Sequence, residues 1–301
     1  MKIAITGGTG FVGTQLTKRL KDEGHDLYIL TRSPDQYTDT EQVTYIGWLK
    51  DEYNPAEQLP ALDAIVNLAG ESLNSGRWTE ERKQSIMNSR IKATEGVIDI
   101  IERLPQKPAV LVNASAVGYY GQSKTKTFTE ETSRPGNDFL ANVVVEWEER
   151  ASKAIEHGVR TVYVRFGIIL GEEGALPKMV LPYKMMVGGN LGSGEQWMSW
   201  IHIEDVVGII DFAIKNDEVN GPLNGTAPNP KRNKDFGETL GSVMNRPHWL
   251  PVPSIALKAA LGDMSTLLLD GQSVIPKKAL TQGYTFNFPE LKPALQSILS
   301  N

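Results

Sequence analysis

Short apolar runs alternate with helical patterns through the first two-thirds of the chain. The pattern predicts strands at 2–6, 26–31, 63–67, 109–114 and 160–166, with helices near 11–23, 80–102 and 137–157. Because strands separated by amphipathic helices pair in parallel, this alternation predicts an α/β fold, a Rossmann-type doubly wound parallel sheet. The runs at 63–67 and 109–114 are almost continuously apolar, as expected for strands that are covered on both faces.

The alternation changes near residue 167, where short helices and Gly/Pro-rich connections such as 220–225 follow. We therefore expect three parts: a dinucleotide-binding domain over 1–166, to which later segments return, a smaller substrate-side lobe over 167–245, and an α-rich module over 246–301. The module is too short for a stable core of its own, so we expect it to dock beside the loops that carry Trp197 and His202. Two roles for this module stay open: it could cover the substrate cleft, or it could support the structure at a distance from the cleft.

The segment directly after the first predicted strand is rich in glycine. Gly7, Gly10 and Gly13 have the spacing GxxGxxG and open an amphipathic helix. The first glycine allows a tight turn, the second lets backbone N–H groups approach a diphosphate, and the third lets the helix pack closely on the strand. An anion would then lie at the helix N-terminus. We predict a dinucleotide site that includes Gly7, Thr9, Gly10, Phe11, Val12 and Gly13.

The end of the second predicted strand indicates which dinucleotide binds. A carboxylate at this place accepts hydrogen bonds from the ribose hydroxyls of NAD, whereas an arginine accommodates the 2′-phosphate of NADP. The chain has Thr31 and Arg32 there, and the first carboxylate, Asp35, comes later. We therefore predict that NADP(H) is preferred over NAD(H). The alternative for Arg32 is a solvated surface side chain.

Composition narrows the range of partners and sites. The net charge of −5 and the pI near 5.5 argue against nucleic acid or an anionic membrane as the main partner, so we expect a small-molecule substrate. The absence of cysteine excludes disulfides and thiolate sites, and the four histidines lack metal-ligand spacing. We expect a cytoplasmic protein, because the first strand begins at once and no apolar run is long enough to span a bilayer. The oligomeric state stays open.

Residues 1 to about 245 resemble the extended short-chain dehydrogenase/reductases, the superfamily of sugar-nucleotide epimerases and dehydratases. The resemblance rests on the glycine turn, on Asn67-Leu68-Ala69-Gly70 and on Ser115. A narrower match, to the little-characterised epimerase family branch, is carried by residues 68–71, 76–79, 82–83, 89–90, 118–121 and 199–202, and by recurring motifs in the tail at 246–247, 251–253, 262–264, 271–272 and Pro276. It implies bound NADP(H) and an unassigned substrate. We expect Leu68, Ala69, Gly70 and Arg165 to line the cofactor; a structural ion pair is the alternative for Arg165.

The resemblance also implies a catalytic Tyr-Lys pair in a YxxxK motif, which this chain lacks. Leu140 and Val144 occupy those places in the helix predicted at 137–157. Ser115 remains at a strand end, and Tyr119 and Tyr120 follow in a loop between glycines. We predict Ser115 and one of these tyrosines as catalytic residues; the other tyrosine is expected to pack, because adjacent side chains of an extended segment point in opposite directions.

Four further residues are predicted to bind the substrate: Arg77, Trp78, Trp200 and His202. With Trp197 and Arg90 they would suit an anionic substrate that has a flat or apolar portion. The alternatives are core packing for the tryptophans and a loop-holding role for His202. Two functions stay open: an NADP(H)-dependent oxidoreductase or epimerase-like enzyme, and a cofactor-binding sensor or regulatory protein that has lost its chemistry.

Overall fold

A computed structural model describes residues 1–73 and 76–300 of the chain. Its main feature is a seven-stranded parallel sheet with the order β11-β7-β5-β4-β1-β2-β3. These strands are β1 (Lys2–Thr6), β2 (Asp26–Thr31), β3 (Val43–Gly47), β4 (Ala64–Asn67), β5 (Val110–Ala116), β7 (Arg160–Phe166) and β11 (Gly221–Gly225). The short strands are β6 (Thr127–Phe128), β8 (Ile168–Leu170), β9 (Trp197–Met198), β10 (Trp200–His202), β12 (Lys231–Arg232) and β13 (Ser273–Val274).

Helices cover both faces of the sheet. They are α1 (Phe11–Asp22), α2 (Pro55–Gln58), α3 (Glu80–Arg103), α4 (Phe139–Ser152), α5 (Leu176–Lys184), α6 (Ile203–Lys215), α7 (Asn233–Met244), α8 (Ser254–Leu261), α9 (Thr266–Leu269), α10 (Lys277–Thr281) and α11 (Leu291–Leu299). Ile3 and Ile5 of β1 pack with α1 and α6, while Ala4 packs on the opposite face with α3. This two-residue alternation on a doubly covered strand confirms the predicted doubly wound sheet.

Two strands of the sheet are absent from the sequence prediction. Residues 43–47 form β3 at one edge, and residues 221–225, predicted as a Gly/Pro-rich connection, form β11 at the other. The prediction for 220–225 is wrong because β11 is an edge strand, where Pro222 needs no partner for its missing N–H. The predicted helix at 137–157 begins at Phe139, and its last five residues form a 3-10 turn.

The direction of chain progression across the sheet reverses between β1 and β4. From β1 the chain moves to β2 and β3 on one side, and then returns to β4, β5 and β7 on the other. The connections that leave the carboxyl ends of β1 and β4 therefore diverge to opposite faces and leave a crevice between them. In doubly wound sheets this is the place where ligands bind.

The C-terminal segment is attached to the rest of the chain by backbone and side-chain hydrogen bonds. Its strand β13 pairs in parallel with β6. The Ser199 hydroxyl donates to the carbonyl of Gln272 at 2.8 Å, and the Gln272 amide donates to the carbonyl of Val117, also at 2.8 Å. These contacts connect residues 246–301 with the end of β5 and with the loop between β9 and β10.

Candidate functional site

The glycine turn after β1 has the geometry of a nucleotide-binding turn. Gly7 has φ +66°, and the Gly10 N–H donates to its carbonyl at 3.0 Å. A Cβ atom at Gly7 would lie 2.9 Å from the backbone of Leu68, and one at Gly13 would lie 2.1 Å from the Gly7 carbonyl oxygen. Glycine is therefore required at position 7 by the turn and at position 13 by the close approach of α1 to β1.

The N-terminus of α1 is suited to an anion. Gly10 caps the helix without a side-chain hydrogen bond, and the first turn contains no acidic residue. A Cβ atom at Gly10 would meet only the Gly7 carbonyl oxygen, at 3.4 Å, so the space in front of the helix is open. Thr9 and Gly10 are exposed there, while the Phe11 ring packs over Gly171. The helix dipole and unpaired N–H groups at this terminus fit the diphosphate of a dinucleotide.

The segment after β4 is held rigidly beside this turn. Buried Asn67 accepts a hydrogen bond from the Thr6 hydroxyl at 2.6 Å and donates to the Asn113 side chain at 2.6 Å. The backbone N–H groups of Leu68 and Ala69 donate to the same Thr6 hydroxyl, each at 3.2 Å. The network connects β1, β4 and β5 and places the exposed Gly70 at the crevice.

The end of β2 carries the predicted selectivity residues. The Thr31 hydroxyl accepts a hydrogen bond from the Ser33 N–H at 3.3 Å, which bends the chain as it leaves the strand. The Arg32 side chain is exposed and forms no ion pair with the residues that the structure describes. Its charge is therefore available to a ligand.

A buried polar cluster joins β5, β7 and α4. The Arg165 guanidinium donates to both Glu148 carboxylate oxygens, at 2.8 and 2.7 Å, and the Ser115 hydroxyl donates to the same carboxylate at 2.6 Å. Arg165 and Ser115 are each 3% exposed. The geometry therefore favours the ion-pair alternative for Arg165, of which only Nη1 lacks a protein partner among the described atoms. Since a hydroxyl has one hydrogen, Ser115 has none left to donate to a substrate carbonyl in this arrangement.

The two tyrosines of the following 3-10 turn have different surroundings. The Tyr120 ring is 4% exposed and stacks on Phe128, and its hydroxyl donates to the Asn224 side chain at 2.7 Å. Burial raises the pKa of Tyr120, so its phenol keeps its proton. Tyr119 is half-buried, its ring centroid lies 3.4 Å from the Arg165 guanidinium carbon, and its hydroxyl donates to the Ser133 carbonyl at 2.7 Å. Tyr120 is therefore the packing residue of the pair.

A cavity of about 140 Å³ lies beside Leu140, one of the two places of the missing Tyr-Lys pair. Half-buried Leu140 lines it, whereas Val144 is buried and is not among its lining residues. The cavity is lined by Trp78, Lys83, Gln122, Asp138, Phe139, Leu140, Asp263 and Thr266. The Trp78 and Phe139 rings meet edge to face and supply an aromatic wall. The Lys83 ammonium bridges to Asp263 at 2.7 Å, so the C-terminal segment forms one side of the cavity.

Three other predicted substrate residues do not line this cavity. Trp200 is fully buried and donates to the Asn229 carbonyl, which makes it a core residue. His202 is 3% exposed, and it caps α6 by accepting from the Glu204 N–H. These contacts favour the alternatives of core packing for Trp200 and a loop-holding role for His202. The Arg77 side chain donates to the carbonyl of Ala259 at 3.1 Å and so contacts the C-terminal segment.

Sequence reasoning missed Glu148. Glu148 lies one helical turn beyond Val144, and two turns beyond Leu140, on the same face of α4, so the register of the missing motif could have located it. Lys83 belongs to the motif at 82–83, but its contact with Asp263 could not be predicted locally, because the two residues are 180 positions apart. Within residues 1–73 and 76–300, no group of acidic or histidine side chains could hold a metal ion, and no helix is long and apolar enough to cross a membrane.

Comparison with known families places two matches on this chain. The model of the NAD dependent epimerase/dehydratase family matches residues 3–224, and that of a domain of unknown function, DUF1731, matches residues 252–298. The epimerase family protein YfhF of Bacillus subtilis is 48% identical over 100% of this chain and 99% of its own length. The epimerase family protein SH2119 of Staphylococcus haemolyticus is 47% identical over 98% of each chain.

Solved structures show the same architecture. Human epimerase family protein SDR39U1 (isoform 2), crystallised with NADPH, is 37% identical over 100% of both chains, with a TM-score of 0.89. A nucleoside-diphosphate sugar epimerase from Corynebacterium glutamicum is 28% identical, with a TM-score of 0.79, over 99% of this chain and 58% of that chain. MoeE5 in complex with UDP-glucose and NAD is 16% identical with a TM-score of 0.79, a likeness of fold alone.

Proposed function

The chain belongs to the NAD dependent epimerase/dehydratase family, and on this premise we propose that it is an NADP(H)-dependent oxidoreductase or epimerase-like enzyme. Membership confirms the resemblance to the extended short-chain dehydrogenase/reductases and an NAD(P)-binding fold. The observation that carries the choice of NADP(H) is the exposed Arg32 at the end of β2, which has no ion-pair partner in the described part of the chain. The NADPH in the SDR39U1 crystal structure supports the same choice.

The residues that would hold the cofactor surround the crevice between β1 and β4. The diphosphate would lie at the turn from Gly7 to Gly13, and the 2′-phosphate would accept hydrogen bonds from Arg32. The segment from Leu68 to Gly70 would lie along the dinucleotide. When bound, the nicotinamide supplies a hydride or accepts one.

The substrate would bind in the cavity lined by Trp78, Phe139 and Leu140. The Ser115–Glu148–Arg165 cluster holds the end of β5, and with it the Tyr119 ring, in a fixed position beside α4. Tyr119 is the better candidate for a catalytic phenol, because Tyr120 is buried and bonded to Asn224. For Ser115 to donate to a substrate carbonyl, its hydroxyl must rotate away from Glu148.

Calorimetric titration with both cofactors tests the choice of NADP(H). Wild type should bind NADPH more tightly than NADH. A charge-assisted hydrogen bond contributes about 1.5–3 kcal/mol, so Arg32→Ala should weaken NADPH binding by roughly ten- to more than one-hundredfold and leave NADH unchanged. Arg246→Ala, which removes another exposed arginine, is the matched control. Equal wild-type affinities for the two cofactors would refute the proposal.

Catalysis is tested on an aldehyde, ketone and sugar-nucleotide panel, with NADPH fluorescence and product analysis as readouts. Tyr119→Phe and Ser115→Ala should lower kcat while the Kd for NADPH stays the same, because these hydroxyls would act mainly in the transition state. Full turnover by both variants on an established substrate would show that neither residue is catalytic.

One observation favours a second function, a cofactor-binding sensor or regulatory protein. Leu140 and Val144 supply no proton where the superfamily places its Tyr-Lys pair. A sensor would bind NADPH tightly, turn over no member of the panel, and retain a protein partner in a pull-down in a nucleotide-dependent manner. Turnover of any panel member favours the enzyme instead.

A further inference from the structure

Arg90 is a half-buried cation in the middle of α3 that lies beside the nucleotide crevice. A Cβ atom at Gly70 would lie 3.2 Å from the Arg90 Cγ and 3.4 Å from its Cζ, so the guanidinium lies directly against the backbone after β4. The Arg90 guanidinium also lies over the Trp147 ring, with 5.1 Å between the guanidinium carbon and the ring centroid. The side chain is therefore fixed between α4 and the end of β4.

Arg90 forms no ion pair with a carboxylate in the described part of the chain. Its Nη1 donates to the Ile86 carbonyl at 2.9 Å, which uses one of the five N–H donors of a guanidinium. The nearest acid, Glu71, is engaged elsewhere: its carboxylate pairs with Arg82 and accepts a hydrogen bond from the Ser85 hydroxyl at 2.9 Å. Burial lowers the pKa of Arg90 to about 10, and the attraction of nearby Glu71 offsets this only in part.

The position of Arg90 indicates what would supply the counter-charge. Gly70 follows β4, whose neighbour in the sheet is β1, and the glycine turn follows β1. The two connections are in contact, since a Cβ at Gly7 would lie 2.9 Å from Leu68. Arg90 and the uncapped N-terminus of α1 therefore belong to the same crevice, at the point where the strand order reverses. A planar guanidinium with free N–H donors matches phosphate oxygens in geometry and charge.

We infer that Arg90 binds the diphosphate of the dinucleotide, together with the N-terminus of α1. The inference rests on the proposed cofactor site and adds a second cationic contact to it. Arg90 and Arg32 then have separate roles. Arg32 binds the phosphate that only NADP(H) carries, whereas Arg90 binds the phosphates that NADP(H) and NAD(H) share. The sequence had suggested Arg90 as a charge for the substrate, but Arg90 is not among the residues that line the cavity.

Calorimetric titration of the Arg90 variants with NADPH and NADH tests this assignment. Arg90→Met retains an apolar stem against Trp147 but removes the charge, and it should weaken both cofactors by the same factor, roughly ten- to one-hundredfold. Arg90→Lys keeps the positive charge but lacks the planar guanidinium, and it should recover part of the lost affinity for both cofactors. Arg32→Ala should affect NADPH alone, and the double variant should show the product of the two factors for NADPH.

Salt dependence and a control variant complete the test. Affinity for NADH should fall less steeply with rising salt in Arg90→Met than in wild type, because one phosphate contact is lost. Arg103→Met, which removes an exposed arginine near the end of the same helix, should leave both affinities unchanged. Folded Arg90→Met or Arg90→Lys proteins with wild-type affinity for both cofactors would overturn the inference. Failure of wild type to bind either dinucleotide would instead refute the proposed function.

Discussion

Replacing Glu148 with alanine should destabilise the protein strongly, because it leaves a buried cation without its counter-charge. The carboxylate accepts two hydrogen bonds from Arg165, at 2.8 and 2.7 Å, and one from Ser115 at 2.6 Å. Arg165 is 3% exposed, so water cannot replace the lost partner without a local opening. Removing one member of a buried ion pair costs about 3–5 kcal/mol, and we expect a loss of unfolding free energy in that range.

A control on the same helix separates this effect from the loss of any glutamate. Glu146 is paired with Arg150 at 3.5 Å, and its side chain is 41% exposed. Exposed pairs of this kind contribute about 0–1 kcal/mol, so Glu146→Ala should change the unfolding free energy by no more than that. Equilibrium urea unfolding, followed by far-UV circular dichroism, measures both variants.

A double variant tests whether the loss comes from the uncompensated charge. Glu148→Leu combined with Arg165→Met removes both charges and keeps most of the side-chain volume, so it should recover most of the stability lost in Glu148→Ala. An equal loss in Glu148→Ala and Glu146→Ala would refute the reasoning. So would a double variant that is less stable than Glu148→Ala, because the charge would then not be the cause.

Three further predictions concern other parts of the structure. Gly13→Ala should abolish cofactor binding in calorimetry and lower the thermal midpoint, because its Cβ would lie 2.1 Å from a backbone oxygen of the turn. Burial lowers the pKa of His202 to about 4, so folded His202 binds fewer protons than the unfolded chain, and the unfolding free energy should fall as pH drops from about 6.5 towards 4. His202→Asn, which can still cap α6, should flatten that part of the pH curve in urea titrations; an unchanged slope would contradict the assignment. Truncation after residue 245 removes β13 and its pairing with β6, and should yield an aggregating or less stable protein in light scattering and thermal melts; a stable fragment with unchanged cofactor affinity would refute the docking.

The sheet and the nucleotide-binding turn could be predicted from the sequence, because both depend on local patterns of residues. Continuous apolar runs, the glycine spacing and the helix that follows them are readable within about 30 residues. Strand β11 was missed because its Gly-Pro start is typical of loops, and only its edge position makes it a strand. Strand β3 was missed because it has only five residues, and its buried positions do not alternate with exposed ones.

The polar cluster could be predicted only in part, because its members are distant along the chain. Ser115 and Arg165 were both singled out, and a structural ion pair was one of the alternatives for Arg165. Their common partner Glu148 lies on a helix between them; the helical register places it on the face of Val144, but does not indicate which strands cover that face. The burial follows from the packing of α4 on β5 and β7, a tertiary property.

The pairing of β13 with β6 has a consequence for synthesis on the ribosome. Strand β6 ends at Phe128, and its partner begins at Ser273, so nearly half the chain must be made between them. The crevice, by contrast, needs only strands up to β5, which are complete by residue 116. Because domains fold from the N-terminus as they emerge, the nucleotide side should acquire its shape first, while the cavity wall that contains Asp263 waits for the last segment to be translated. In a nascent chain the nucleotide crevice would thus be formed before the cavity that contains Asp263 is complete.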